Sequence, residues 1–261
     1  ALAHADTYLP TGPVLVEEFL AGPEVSLFFV SDGDTVRALS PAQDFKRAYD
    51  GDAGPNTGGM GAYSPLPWLS DDFGSEEAFV AEVTRTVAEP VIRTLDAEGT
   101  PFIGLLYAGL ILTADGIKVI EFNARFGDPE TQVVLARLTS PLSRLLMAAA
   151  SGTLEDEPAP EFADTAAITV VLASEGYPEA PRTGRVITGL DAAASVPGVH
   201  LAHAATAVSG DELVATGGRV LNVVATGSSF GAARDQAYAA LERIALEGSH
   251  YRRDIAARVA G

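Results

Sequence analysis

A short stretch near the middle of the chain alternates polar and apolar residues. Glu121, Asn123 and Arg125 occupy every second position within residues 118–125. A period of two predicts a β-strand, on which residues i and i+2 share one face. That face would carry a carboxylate, an amide oxygen and a guanidinium. Oxygen ligands suit Mg²⁺, and a guanidinium suits a phosphoryl or carboxylate group. An exposed strand face with a cross-strand ion pair is the plainer alternative.

The residues after this strand form the string Arg-Phe-Gly-Asp-Pro-Glu-Thr-Gln at positions 125–132. Gly127 is expected to end the strand, Asp128 to cap a helix and Pro129 to suit its first turn. The whole string closely resembles the signature of the phosphoribosylamine–glycine ligase family (glycinamide ribonucleotide synthetases). These are purine-biosynthesis enzymes with the ATP-grasp fold.

This resemblance implies a role for each polar residue of the region. Glu121 and Asn123 would hold Mg²⁺ or Mn²⁺. Arg125 would bind the acyl phosphate or carboxylate and so count among the catalytic residues. Gly127 and Asp128 would line the substrate site.

The composition is that of an ordinary globular chain, with 261 residues, 47% hydrophobic and 20% charged. The absence of cysteine excludes disulfides, thiolate metal sites and cysteine nucleophiles. A net charge of −18 argues against nucleic-acid or anionic-membrane partners. No apolar run approaches the roughly 18–20 residues that span a bilayer, so we expect a cytoplasmic protein. The chain opens with Ala1, which suggests a piece of a longer polypeptide.

An apolar run with two acidic residues lies near the start of the chain. Residues 14–20 are predicted to form a buried strand that ends in the turn at 21–23, and a second strand covers residues 25–30. Glu17 and Glu18 are unusual in a buried strand because isolated buried charges are costly. An edge strand with both carboxylates in solvent is the alternative.

The same run, Glu-Glu-Phe-Leu followed by Glu24, is similar to the adenine-binding hinge of ATP-grasp enzymes. The resemblance implies that the backbone at Glu18 and Leu20 pairs with adenine. Glu24 would hold the ribose hydroxyls, and Glu17 and Phe19 would be further contacts of the nucleotide. ATP is therefore the expected cosubstrate.

A glycine-rich stretch at residues 54–65 is not expected to form a regular element, and such a loop can bring backbone N–H groups close to an anion. A flexible linker is the alternative from composition alone. The stretch is also similar to the loop of the ligase family. By resemblance, Asp44 would hold the ammonium of glycine, and Lys46 would line the substrate and phosphate side together with the loop. The loop residues assigned to substrates are Asn56, Thr57, Gly58, Gly59, Met60 and Gly61.

Apolar periodicity and turn signals predict the remaining elements. A helix over residues 75–98 is expected to bend at Pro90. A hairpin is predicted from 104–113 and 118–124, and helices from 128–138 and 140–150, the last capped by Ser140. Strands are predicted at 166–173, 185–188, 200–205, 212–215 and 219–225, and a final helix at about 229–246.

The predicted fold class is α+β. An ATP-grasp larger lobe, an antiparallel sheet with flanking helices, would occupy residues 1–152. The polar, Pro-containing segment 153–163 reads as a linker, and a small β-rich C-terminal domain would occupy 164–261. The family has an N-terminal domain and a smaller ATP-grasp lobe upstream, so this chain is expected to be inactive without that missing part.

The resemblance implies a two-step ligation of glycine to 5-phosphoribosylamine through glycyl phosphate, with Asp44, Lys46 and Arg125 as catalytic residues. The products are glycinamide ribonucleotide, ADP and phosphate. Two alternatives remain open at this point. One is another ATP-grasp ligase or carboxylase, and the other is a non-catalytic nucleotide-binding module.

Overall fold

The structure is a computed structural model that describes residue 6 and residues 9–261. Within those residues, no helix combines the length and the apolar character that crossing a membrane requires.

The chain alternates short strands and helices. The strands are β1 (Glu24–Asp32), β2 (Val36–Ala38), β3 (Gln43–Asp44), β4 (Arg47–Tyr49), β5 (Ala53–Asn56), β6 (Gly61–Ser64), β7 (Ile103–Thr113), β8 (Gly116–Asn123), β9 (Ala166–Ala173), β10 (Val199–His203), β11 (Thr206–Ser209), β12 (Glu212–Ala215) and β13 (Arg219–Gly227). The helices are α1 (Leu69–Phe73), α2 (Glu76–Val83), α3 (Glu89–Ala97), α4 (Glu130–Arg137), α5 (Leu142–Ser151), α6 (Leu190–Ala194) and α7 (Phe230–Leu241).

The first sheet has the antiparallel order β2-β1-β7-β8 and packs against helices on both faces. Alternate residues of β1 point to opposite sides, as strand geometry requires. Leu27 packs in one apolar cluster with Phe79 of α2. Phe28 packs in another with Val133 of α4 and Leu145 of α5. This confirms the predicted sheet with flanking helices and the hairpin of β7 and β8.

The second sheet has the antiparallel order β10-β13-β9-β6-β3 and draws its strands from distant parts of the chain. β6 pairs with β9, and so residues on both sides of segment 153–163 share one sheet. Helix α4 joins the two sheets, because Val133 and Val134 pack with Phe28 of the first sheet and with Ala62 and Ala167 of the second. The domain division at 153–163 stays a prediction.

The long helix predicted over residues 75–98 is present and contains a single π-helical turn. Residues Thr84–Ala88 form that turn between α2 and α3, and Pro90 occupies the first turn of α3. Pro90 has no N–H to donate to the preceding turn, and a wider π turn accommodates its ring. The predicted helix is confirmed, with an irregular turn just before Pro90, and the bend itself stays a prediction.

The strand predicted at residues 14–20 is absent. In the described part of the chain this stretch belongs to no sheet, and Leu15 and Phe19 are largely exposed. A strand needs a neighbour to take its backbone hydrogen bonds, and no described strand lies beside residues 14–20. The apolar run alone was an insufficient signal.

The glycine-rich stretch is more regular than predicted. Residues Ala53–Asn56 pair with β4, and Gly61–Ser64 are wholly buried in the second sheet. Within the stretch 54–65, only residues 57–60 and Pro65 lie outside strands. Composition did not reveal β6, because this strand is defined by its pairing with β3 and β9 rather than by its residue types. Gly61 in particular allows β9 to approach closely, since a Cβ on Gly61 would lie 2.6 Å from the Thr169 carbonyl oxygen.

Both predicted helix caps are wrong. Helix α4 begins at Glu130 after Pro129, and Asp128 instead accepts a hydrogen bond from the side chain of Gln132 at 3.0 Å. Helix α5 follows Pro141, and Ser140 Oγ accepts from the backbone N–H of Glu161 at 2.9 Å. The Ser140 hydroxyl is thus taken by a residue 21 positions away, whereas the partner of Asp128 is a side chain of the first turn of α4 itself. The final helix also ends earlier than predicted, at Leu241.

Candidate functional site

The polar face of the first sheet carries Glu121 and Asn123 side by side. The Asn123 amide donates to Glu121 Oε1 at 3.1 Å, which confirms that the two side chains share a face. Gly109 lies opposite Glu121 on β7, and a Cβ there would be 3.1 Å from Glu121 Cγ. The glycine therefore leaves room for the carboxylate to lie across the sheet. One carboxylate and one amide oxygen form a hard, two-ligand donor set.

Arg125 does not continue this row. β8 ends at Asn123, and Arg125 lies in an exposed bend where its guanidinium donates to the Phe126 carbonyl at 2.9 Å. The period-two argument thus holds for two of the three polar residues. Gly127, two residues later, is buried. It lies so close to Glu130 that a Cβ at this position would be 2.8 Å from Glu130 Oε2.

A buried cluster of charges lies beside this face. The Asp44 side chain is only 5% exposed, and Lys46 Nζ lies 3.9 Å from its Oδ1. Lys46 also forms an ion pair with Glu24 at the start of β1. The sequence assigned Glu24 to the nucleotide and Asp44 and Lys46 to the substrates, and the structure brings all three together.

Glu130 completes the cluster, and sequence reasoning missed it. The first residue of α4 is 5% exposed and accepts hydrogen bonds from Ser26 Oγ at 3.2 Å and Tyr107 Oη at 3.3 Å. Ser26 Oγ and Tyr107 Oη are themselves 2.9 Å apart. The available signal was a glutamate inside the 125–132 signature at the first position of the predicted helix.

The electrostatics of the cluster follow from this crowding. Burial, and then the negative charge of Glu130, raises the pKa of Asp44 to about 7, against a smaller opposing effect of Lys46. Burial alone would lower the pKa of Lys46, but the charge of Asp44 and the hydrogen bond to Glu24 outweigh it and raise that pKa. Burial, reinforced by Glu130, also raises the pKa of Tyr107. In the described residues, Lys46 is the only cation within 4.0 Å of these carboxylates.

The glycine-rich loop packs directly against the Lys46 segment. The backbone N–H and the hydroxyl of Thr57 both donate to the Lys46 carbonyl, at 2.7 and 2.8 Å. The Thr57 hydroxyl also accepts from the Gly59 N–H at 3.0 Å. Met60 is fully buried and its N–H donates to the Phe45 carbonyl. The predicted substrate loop therefore adjoins the predicted ammonium site.

The loop also touches the signature segment after β8. A Cβ on Gly59 would lie 2.4 Å from Pro129 Cδ, so only glycine permits this contact. Arg219 of β13 spans the same junction, with Nη1 donating to the carbonyls of Gly58 at 2.7 Å and Asp128 at 2.6 Å. The structure thus brings the loop, Asp128 and the charge cluster into one region. Asn56 lies at its edge, paired with Arg47.

The stretch assigned to adenine lies at the start of the first sheet. Residues 17–20 form no regular element, are mostly exposed and make no backbone hydrogen bond to another described residue. The following turn is tight against β7, since a Cβ on Gly22 would lie 1.9 Å from the Leu112 carbonyl oxygen. Glu24 begins β1 just beyond it.

A separate cavity of about 530 Å³ lies between α4 and the β10 edge of the second sheet. It is lined by Thr131, Gln132 and His200, among mainly apolar residues, and includes none of the predicted site residues. The candidate site is therefore the charged region around Asp44, on β3 of the second sheet, and Glu121, on β8 of the first sheet.

Solved structures define the class of fold. A biotin carboxylase from Campylobacter jejuni superposes on 90% of this chain with a TM-score of 0.61 at 12% identity, covering 48% of that protein. An N5-carboxyaminoimidazole ribonucleotide synthetase from Thermotoga maritima gives 0.56 at 14% identity, over 91% of this chain and 57% of that one. At these identities the likeness shows the fold alone. The predicted α+β, ATP-grasp architecture is confirmed.

Closer relatives define the family. The phosphoribosylglycinamide synthetase ATP-grasp (A) domain matches residues 7–131, and the phosphoribosylglycinamide synthetase C domain matches residues 167–258. The phosphoribosylamine–glycine ligases of Leifsonia xyli and Streptomyces coelicolor are 68% and 58% identical over 99% and 100% of this chain. The crystal structure of the Thermotoga maritima phosphoribosylamine–glycine ligase gives a TM-score of 0.76 at 36% identity, over 93% of this chain and 58% of that one. The chain belongs to the phosphoribosylglycinamide synthetase family, and it spans 61% of the length of both curated relatives.

Proposed function

We propose that this chain supplies the larger ATP-grasp lobe and the C-terminal domain of a cytoplasmic ligase that joins glycine to 5-phosphoribosylamine. The observation that carries the proposal is the charge cluster of the buried Asp44 and Glu130 with the partly exposed Glu24 and Lys46, beside the oxygen pair of Glu121 and Asn123. An ammonium site next to a phosphate-side metal site is the arrangement that activation of an amino acid by ATP requires. Membership of the ligase family supports it.

The reaction proceeds in two steps. A carboxylate oxygen of glycine attacks the γ-phosphorus of ATP, the bond to ADP breaks, and glycyl phosphate forms. The amine of phosphoribosylamine then attacks the acyl carbon, the bond to phosphate breaks, and the amine releases a proton. No side-chain nucleophile takes part, so the chain's contribution is binding, orientation and charge stabilisation.

Asp44 and Glu130 bind the substrate ammonium. Three carboxylates with one lysine leave the cluster short of positive charge, and an incoming ammonium restores the balance. Its binding requires Asp44 to be ionised, whereas the raised pKa favours the neutral acid in the free protein. The cluster therefore selects a cationic amino group over a neutral one.

Glu121 and Asn123 would hold Mg²⁺ or Mn²⁺, because their adjacent oxygen-bearing groups on an exposed face suit a cation that prefers oxygen ligands. When bound, the ion would supply positive charge to the phosphoryl group in transfer. Arg125, in the exposed bend beyond β8, binds the acyl phosphate or carboxylate.

The remaining assigned residues bind the other parts of the substrates. The backbone groups of Glu18 and Leu20 pair with adenine, with Glu17 and Phe19 beside it, and Glu24 holds the ribose. The substrate contacts around the reacting carboxylate are assigned to the stretch from the end of β5 to the start of β6 and to the segment after β8. They are Asn56, Thr57, Gly58, Gly59, Met60, Gly61, Gly127 and Asp128.

The partner of this chain is the remaining part of the same enzyme, which corresponds to the portion of the relatives that it does not span. A direct test is a chimera in which residues 1–261 replace the matching portion of the Leifsonia xyli ligase, 68% identical to this chain. We expect ADP release that requires Mg²⁺-ATP, glycine and phosphoribosylamine together. The unmodified Leifsonia enzyme is the control.

Each other outcome points elsewhere. ADP release with bicarbonate in place of glycine would favour another ATP-grasp ligase or carboxylase. ATP binding by a folded chimera with no ADP release under either condition would favour a nucleotide-binding module. Either result would refute the ligase proposal.

A further inference from the structure

Arg219 connects the C-terminal part of the chain to two segments of the candidate site. Its Nη1 donates to the carbonyls of Gly58 and Asp128, which lie 161 and 91 residues away along the chain. Its Nη2 lies 3.5 Å from the Asp128 carboxylate. One guanidinium, 23% exposed, thus holds the glycine-rich loop and the signature segment at a fixed separation.

The opposite side of the same glycine is held by Tyr177. The N–H of Gly58 donates to the Tyr177 hydroxyl at 3.0 Å. The ring reaches this position because Gly218 has no side chain, since a Cβ there would lie 2.1 Å from Tyr177 Cδ2. Both backbone groups of Gly58 are therefore bonded to the C-terminal region.

The loop depends on such outside contacts for its conformation. Gly58 and Gly59 have more backbone freedom to lose than other residues, so an ordered loop needs compensating bonds. The Arg219 guanidinium also occupies the space beside Gly58, since a Cβ on Gly58 would lie 2.9 Å from Arg219 Cζ. The glycine and the arginine are matched in shape as well as in hydrogen bonding.

We infer that Arg219 is a positioning residue for the ligation, acting through Gly58 and Asp128 to hold the substrate loop in its working conformation. The inference rests on the proposed function, because it takes the loop and Asp128 to line the substrate site. It gives the C-terminal domain a role in catalysis, since without the guanidinium two carbonyls lose their donor and the loop is free to move. A displacement of about 1 Å in a positioning contact can cost about 100-fold in rate.

The kinetic test uses Arg219→Gln in the chimera, with Arg243→Gln as the matched control. Arg243 lies in the same domain and donates to the Ala192 carbonyl at 2.8 Å and to Ser195 Oγ at 3.1 Å, but it makes no contact with the loop. We expect Arg219→Gln to lower kcat/KM for glycine by about 10-fold to 100-fold while the KM for ATP changes by less than about twofold. Arg219→Lys should recover part of the loss, since an ammonium can still reach one carbonyl.

A second measurement does not depend on activity. Amide hydrogen exchange on the chain itself should show faster exchange at Gly58 and Gly59 in Arg219→Gln and unchanged exchange there in Arg243→Gln. If the two variants match each other in loop exchange, or in kcat/KM for glycine, the inference is overturned. A third outcome is also distinguishable: the unsubstituted chimera lacks ligase activity, but hydrogen exchange in the loop still depends on Arg219. This result would refute both the proposed function and the positioning role in ligation, while the contact between Arg219 and the loop would stand.

Discussion

Replacing Asp44 with Asn tests the buried charge cluster through its effect on folding. The substitution removes an ionisable group and nearly preserves the shape of a side chain that is 5% exposed. Burial and the charge of Glu130 raise the pKa of Asp44 to about 7 in the folded chain. The folded state then holds a proton that the unfolded chain has already released, so the stability contributed by this group falls as the pH rises.

The magnitude follows from the two pKa values. The ordinary value is 3.8 and the folded value is about 7. Each tenfold difference in proton affinity corresponds to 1.36 kcal/mol, so the gap is worth about 4 kcal/mol. This contribution is fully present below the unfolded pKa and is lost as the pH rises through the folded value. The Asn variant has no such loss.

Urea unfolding of the two chains between about pH 4 and about pH 8 measures the effect. We expect the free energy of unfolding of the parent chain, minus that of Asp44→Asn, to fall by about 4 kcal/mol over this range. Asp115→Asn, at the exposed turn between β7 and β8, controls for the loss of one carboxylate. If the difference between parent and Asp44→Asn changes by less than about 1 kcal/mol, the burial argument for Asp44 is wrong.

Three further predictions test the site. In the chimera, the KM for glycine should fall as the pH rises through about 7, because the ammonium needs ionised Asp44; a flat profile across this range contradicts the assignment. Glu121→Gln should abolish most ADP release with little change in melting temperature, since the side chain is exposed; near-normal turnover would remove its metal role. Gly59→Ala should lower the free energy of unfolding in urea by about 3 kcal/mol, because the φ of Gly59 is +108° and Pro129 occupies the space of a Cβ. Gly51→Ala is the control and should lower it by about 1 kcal/mol, because the φ of Gly51 is +68° but its surroundings are open. Equal costs would contradict the close contact.

Elements with a strong local signal were predictable from the sequence. The period-two alternation of residues 118–124 marks β8, and the turn after Thr113 marks a hairpin that the structure contains. Their stability comes from neighbouring residues of the same hairpin, so a short window holds enough information. The family, too, could be read from the string at 125–132 before any fold was known.

Elements that depend on distant partners were not predictable. Residues 14–20 have the composition of a strand but no described strand beside them, while β6 looks like a loop and pairs with β9 about a hundred residues later. Backbone pairing is decided by what lies alongside, and composition carries no information about that. The wrong cap at Ser140 has the same origin, because its hydroxyl accepts from the N–H of Glu161, 21 residues away.

The candidate site divides along the same line. The sequence by itself determined which residues could bind hard metal ions, ammonium and phosphate, because the chemistry of a side chain does not depend on the fold. Glu121 and Asn123 were identified from residue type and spacing, and Asp44 from resemblance. Only the tertiary structure decided that Glu130 faces Asp44 and that Arg219 reaches Gly58. Burial, proton affinity and long-range hydrogen bonds arise when α4 and β13 pack against the first sheet and the loop, and these are properties of the assembled fold rather than of any stretch of chain.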